Sequence, residues 1–177
     1  VQSGQRVLVA EGIYREWVIP ARGGTSPDKM ISFEAMPDAR VGLTKREFEF
    51  WMEGQAERMF GIEGSSMQQN AFSICRAQIE LIEMDALIAE SAETTVRALP
   101  SPGHTPGHIG IEVRSRDRKV WLLVDTIHAL FQLHNTGWSP RYDVNPALAR
   151  STAGGLLGQA AEHQIPVHLY HFPFPGI

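Results

Sequence analysis

Short apolar runs mark the second half of the chain, alternating with polar positions in 108–115 and unbroken in VWLLV (120–124). The runs 79–84 (IELIEM), 94–100 (TTVRALP), 108–115 (HIGIEVRS) and 119–125 (KVWLLVD) each read as a strand, with Asp117 in a turn between the last two. The pattern changes period at 145–163 (NPALARSTAGGLLGQAAEH). There Asn145 is placed to cap a helix and Pro146 to open it. Gly154, Gly155 and Gly158 lie inside that helix at about 1 kcal/mol each against alanine, and nothing in the sequence accounts for them. A last strand follows at 167–172 (VHLYHF), ended by PFPG. In the first half, 5–12 (QRVLVAEG) reads as a buried strand closed by Gly12, and 16–21 (EWVIPA) as a second strand. Residues 22–29 (RGGTSPDK) are turn formers and predict a loop. Residues 44–60 predict one helix, started by a capping box of Thr44 and Glu47, with Phe48, Trp51, Met52, Met59 and Phe60 on its apolar stripe. A second helix is expected over 66–78, with Cys75 buried within it. Helices, a run of strands, a helix and a strand imply helices packed on a mostly antiparallel or mixed sheet.

Composition narrows the class. At 177 residues, with 43% hydrophobic and 20% charged positions, the chain has the means for one globular domain, 1–177. A net charge of -4 argues against a nucleic-acid partner. No apolar run is long enough to span a bilayer, so no membrane role is expected. Cys75 is the only cysteine, which excludes an internal disulfide and a cysteine-based zinc cluster. Its single presence leans towards the cytoplasm and leaves the periplasm open.

The candidate chemistry starts at 101–108 (SPGHTPGH), where two Pro-Gly-His units form a tight turn just before a strand. A histidine held there has little freedom left to lose, which suits His104 to metal ligation. Asp125 ends the apolar strand VWLLV, and His171 closes the last one. Histidine, aspartate and histidine at three strand ends can converge on one point. His168 is three residues from His171 and so faces the other side of a strand. His128 and His134 follow Asp125 as candidate pocket residues, and Phe131 and Trp138 as candidate pocket walls. No serine stands in a Gly-x-Ser-x-Gly context, so a serine nucleophile has little support.

Taken in order, SPGHTPGH, VDTIH, RYDVNPALA and YHFPFPG resemble the second half of a metallo-β-lactamase-fold hydrolase, on the branch of parathion hydrolases and acyl-homoserine lactonases. Residues 36–60 resemble it less closely. The resemblance implies an α+β fold, a four-layer αβ/βα sandwich, incomplete in this chain. It implies a zinc-dependent hydrolase in which a metal-bound hydroxide attacks a small ester, lactone or phosphotriester. Residue by residue, His104 becomes a ligand of a first metal, Asp125 the bridging carboxylate and His171 a ligand of a second. His108 becomes a brace for the turn. Where the family has a His-x-His-x-Asp-His motif, this chain has 24–29 (GTSPDK): Gly24, Ser26 and Lys29 replace the histidines and Asp28 remains. Asp28 then joins the metal ligands and shares with Asp125 the handling of the attacking water. Zinc occupancy of two ions, one or none follows, with a small-molecule substrate and, as among relatives, a homodimer as one option. The altered motif also supports an alternative: a non-catalytic relative serving as a binding or scaffold domain. Two further departures are Val124, where the family has glycine, and the short span from Gly12 to Gly24.

Overall fold

A computed structural model describes residues 6–9, 32–35, 40–135 and 137–172. The contacts divide the chain into two compact units, 1–41 with 72–80, and 42–71 with 81–177. In the smaller unit, β1 (Arg6–Val9) pairs in parallel with β2 (Ser32–Ala35), Arg6 opposite Ser32. The strand expected at 16–21 and the loop at 22–29, with Gly24, Ser26, Asp28 and Lys29, lie outside the described residues.

Two short strands follow in chain order, β3 (Val41–Thr44) and β4 (Ile79–Ile82). The larger unit is built on a five-stranded sheet. β5 (Leu87–Glu90), β6 (Thr94–Pro100), β7 (Ile109–Ser115) and β8 (Arg118–Val124) run antiparallel in sequence order, and β9 (Val167–Leu169) adds in parallel beside β8. The mixed α+β sheet follows the alternation of the sequence, with Arg116 and Asp117 turning between β7 and β8. β5 is an addition. It is a short edge strand with a bulge and with Leu87 44% exposed, so it lacks the half-buried alternation that marks its neighbours. β9 stops at Leu169, which puts His171 in the turn beyond it rather than on the strand.

The helix α4 (Pro146–Glu162) returns the chain from β8 to β9. Asn145 caps it by accepting from the amide of Leu148 at 3.0 Å, and Pro146 opens it. Its buried residues Ala153, Leu156 and Ala160 share one face and pack with Trp121, Leu123, Ile127, Ile165 and Leu169. Among the described residues, nothing stands within 4 Å of a side chain added at Gly154, Gly155 or Gly158, so close packing does not explain them.

The helix expected over 44–60 is broken. α1 (Lys45–Met52) ends before Gly54, whose φ of 76° no helix interior accepts, and α2 (Gln55–Ile74) is itself kinked at Gly61. The apolar stripe shifts with the break: Phe50 and Trp51 are buried, Phe48 is half-buried and Met59 is 48% exposed. Cys75 sits just past α2, half-buried, where desolvation pushes its thiol pKa up. Thr44 caps α1 as expected. The capping box is not closed, because Glu47 turns both carboxylate oxygens elsewhere, to Trp51 Nε1 (2.7 Å) and to the amide of Gly107 (3.0 Å). Among the described residues, no helix is long and apolar enough to cross a membrane.

Candidate metal centre

The Pro-Gly-His repeat is shaped by two close approaches. A side chain at Gly103, whose φ is 135°, would meet the backbone nitrogen of Ala149 at 2.3 Å, in the first turn of α4. One at Gly107 would meet Glu47 N and Thr44 Oγ1 at 2.3 Å, at the start of α1. Thr44 Oγ1 also donates to Gly107 O at 2.8 Å. Only glycine lets the loop lie this close to both helices. The carbonyls of Gly103 and His104 accept from Asn145 and Val144, both at 2.9 Å, and tie the loop to the cap of α4.

The two histidines of the repeat have different surroundings. His108 is buried; its Nδ1–H donates to Ser101 O at 2.9 Å and lies 2.7 Å from Ser101 Oγ, closing the loop on itself. His104 instead donates from Nδ1 to Asp143 Oδ1 at 2.9 Å. Asp143 is 4% exposed, and its other oxygen accepts from Ser139 Oγ. Burial pushes the Asp143 pKa up, but the hydrogen bonds from His104 and Ser139 outweigh it and leave the pKa below the ordinary carboxylate value. The ionised Asp143 accepts from His104 Nδ1–H, which turns Nε2 to the other side of the ring as the nitrogen that could meet an ion.

The second arm is built at the end of β8. The register with β9 shifts between Leu122 and Val124, and Val124 takes a φ of 47°. The strand ends in a kink, and Asp125 follows it. His171 Nε2–H donates to Asp125 Oδ1 at 2.8 Å. Asp125, at the end of β8, thus meets His171 from the turn after β9, while His104 is bonded to Asp143 instead of to them.

His128 joins the two arms. Its ring lies 4.9 Å from that of His104 and stacks at 4.9 Å and 20° on that of His171, with Nε2 3.9 Å from Asp125 Oδ1. Burial is the largest cause lowering its pKa to about 4; charge on His104 adds to it, and the carboxylates of Asp125 and Asp143 offset only part. The ring is therefore neutral near pH 7. His104, His128 and Asp143 each offer one ligand atom, all within 4.8 Å of one another, and so do Asp125, His128 and His171. Imidazole nitrogens and a carboxylate are the donors of catalytic zinc sites, so these residues fit such an ion.

An open cleft of about 640 Å³ lies beside His128, walled by Phe131, Trp138 and Tyr142, with Arg141 and Arg150 on its lining. Phe131 and Trp138, both 56% exposed, face each other at 5.4 Å. His134 is exposed at the end of α3 (Phe131–His134) and lines no part of it. His168, on β9, belongs to neither trio.

Solved structures carry the same arrangement of elements. The dizinc quorum-quenching lactonase AidC superposes with a TM-score of 0.66 at 20% identity, over 79% of this chain and 50% of AidC. The hydrolase AbOPH of the beta-lactamase superfamily gives 0.62 at 21%, over 80% and 50%. A probable metal-dependent hydrolase from Staphylococcus aureus gives 0.55 at 16%, over 75% and 44%. The chain has the metallo-β-lactamase fold. It spans about half the length of the solved structures it matches, so it holds part of that fold. No protein-family model matches the chain, and no curated protein does. Within the metallo-β-lactamase fold, His104, Asp125 and His171 come from three separate connections of one sheet. Asp143 is the member of the cluster that residue spacing misses, although it lies inside the RYDVNPALA stretch; His128 lies inside VDTIH.

Proposed function

We propose that this chain is the metal-binding part of a metal-dependent hydrolase acting on a small ester, lactone or phosphotriester. The observation that carries the proposal is the meeting of Asp125, His128 and His171, with His104 beside them, next to an aromatic-walled cleft. His104, Asp125 and His171 would supply metal ligands, with Asp28 as a further donor from the first segment. Such an ion lowers the pKa of a bound water from about 15.7 toward about 7 and polarises the substrate oxygen. Asp143 fixes the His104 tautomer, so that Nε2 stays an acceptor. Asp125, whose side chain is 30% exposed, would take a proton from water. Phe131, Trp138 and Tyr142 supply apolar surface for a leaving group or acyl chain, and Arg141 and Arg150 favour a substrate with partial negative charge.

Elemental analysis of the purified chain, followed by a screen of lactones, aryl esters and phosphotriesters, tests this. Bound metal and turnover that disappears in Asp125→Ala are expected; unchanged turnover in that variant rules the mechanism out. Gly24, Ser26 and Lys29 favour a second reading, a binding domain without chemistry. It predicts no metal above background and no turnover.

A further inference from the structure

We propose that His128 is a metal ligand, and that with Asp125 and His171 it holds one divalent transition-metal ion without any donor from the first forty residues. The inference rests on the metal-dependent reading of the same site. It adds a ligand and removes the need for Asp28.

His128 has the placement of a ligand. It is the one residue shared by both donor trios, and its ring touches those of His104 and His171. The position is rigidly built. Gln132 Oε1 accepts from the amides of both His128 and Ala129 at 2.9 Å. Gln132 is itself 6% exposed, and its Nε2 donates to Trp138 O at 3.2 Å. A buried amide spent on two consecutive backbone groups holds the imidazole in place; its side chain is 11% exposed.

Asp143 is excluded from the ligand set by its own bonds. One oxygen is taken by His104 and the other by Ser139, so it acts as the positioner of His104. Asp125, His128 and His171 then supply one carboxylate and two imidazoles within 4.8 Å of one another, the three protein ligands usual in a catalytic zinc site. Ligand atoms around such an ion lie roughly 3.3 Å apart. The Asp125–His171 and Asp125–His128 separations of 2.8 and 3.9 Å bracket that spacing. The sequence supplies the reason for a local replacement: Gly24, Ser26 and Lys29 offer no imidazole, and His128 supplies one.

The test is calorimetric titration of the metal-free chain with Zn²⁺, joined to X-ray absorption on the loaded protein to count imidazoles. One equivalent and at least two imidazoles are expected. His128→Ala and His171→Ala should each weaken binding about tenfold or more, with one imidazole fewer. Asp28→Ala and His168→Ala should stay within about twofold. His128→Gln repeats the measurement with a polar side chain if the alanine variant has lost its far-UV circular dichroism. Full affinity in the His128 variants, with loss in His171→Ala, overturns the role of His128 and leaves the hydrolase reading standing. Loss in Asp28→Ala overturns the self-sufficient site in the same way. No Zn²⁺ bound to the unaltered chain overturns both.

Discussion

The two arms of the centre reach the same place by opposite means. The His104 arm is a loop pressed between two helix starts, with glycine at both close approaches and a buried carboxylate behind the ring. The Asp125 arm is a strand end bent through a valine in the left-handed region, and its partner His171 is 41% exposed. One arm is held by packing that leaves no room for a methyl group; the other is held against a local strain and faces solvent. The packed arm fixes orientation, and the exposed arm is open to solvent.

The largest effect that would test this contrast belongs to the packed arm. Gly103→Ala would place a methyl group 2.3 Å from a backbone nitrogen at a φ that alanine avoids. We expect a loss of about 3 kcal/mol or more, read from urea denaturation. A loss below about 1 kcal/mol would mean that the loop yields easily and that the arms do not differ. Next, Asp143→Asn keeps the shape but no longer demands a proton on His104 Nδ1. It should weaken Zn²⁺ binding about 10- to 100-fold by titration while costing about 1–3 kcal/mol of stability. Rescue by Glu at this position is not expected, because Asp143 is buried and both oxygens are matched.

Acid acts through the residue that joins the arms. The folded pKa of His128 is lowered to about 4 from an ordinary 6.5. Between those values the unfolded chain takes up a proton that the folded chain refuses, so stability falls as pH drops from about 6.5 to about 4 and this contribution then levels off. Above 6.5 it has no effect. The depressed Asp143 adds a further loss below its ordinary value of 3.8, since its stabilisation is present only while it is ionised. For His128 the loss is on the order of 1–2 kcal/mol after allowance for solvent screening. Thermal unfolding of the metal-free chain at pH 7 and pH 4.5 measures it. The same change in His128→Gln would assign the loss to other groups.

The contrast between the arms also explains what could be read from the residues alone. β6 and β7 were legible because apolar and polar positions interchange along them, β8 because VWLLV is an unbroken apolar run, and α4 because Asn145 and Pro146 mark its start. The break between α1 and α2 was not, because Gly54 interrupts a pattern that remains apolar at helical spacing on both sides. Asp125 was legible as the residue at the end of β8, whereas His171, expected to close a strand, stands in the turn after β9. The bond from His104 to Asp143 spans thirty-nine residues and depends on how closely the loop sits on the α4 cap, which no local pattern encodes. His128 was visible as a pocket candidate, but its place between the other two rings follows from the kink at Val124 and the clamp of Gln132.

That kink supplies the smallest and most specific test. A β-branched residue at a φ of 47° carries about 1–2 kcal/mol of strain, because its Cβ crowds the backbone. Glycine would remove the strain and add about 0.5–1 kcal/mol of unfolded-chain entropy. Val124→Gly should therefore leave the chain about 0.5–1 kcal/mol more stable, provided the half-buried valine contributes little packing. Urea midpoints of the two proteins decide it. A destabilised variant would mean that the valine side chain holds the turn by its contacts, and that the Asp125 arm is packed after all. A stabilised variant with unchanged Zn²⁺ affinity would show that the turn geometry is set by the bulge between β8 and β9 and by Gln132, with the valine merely tolerated there.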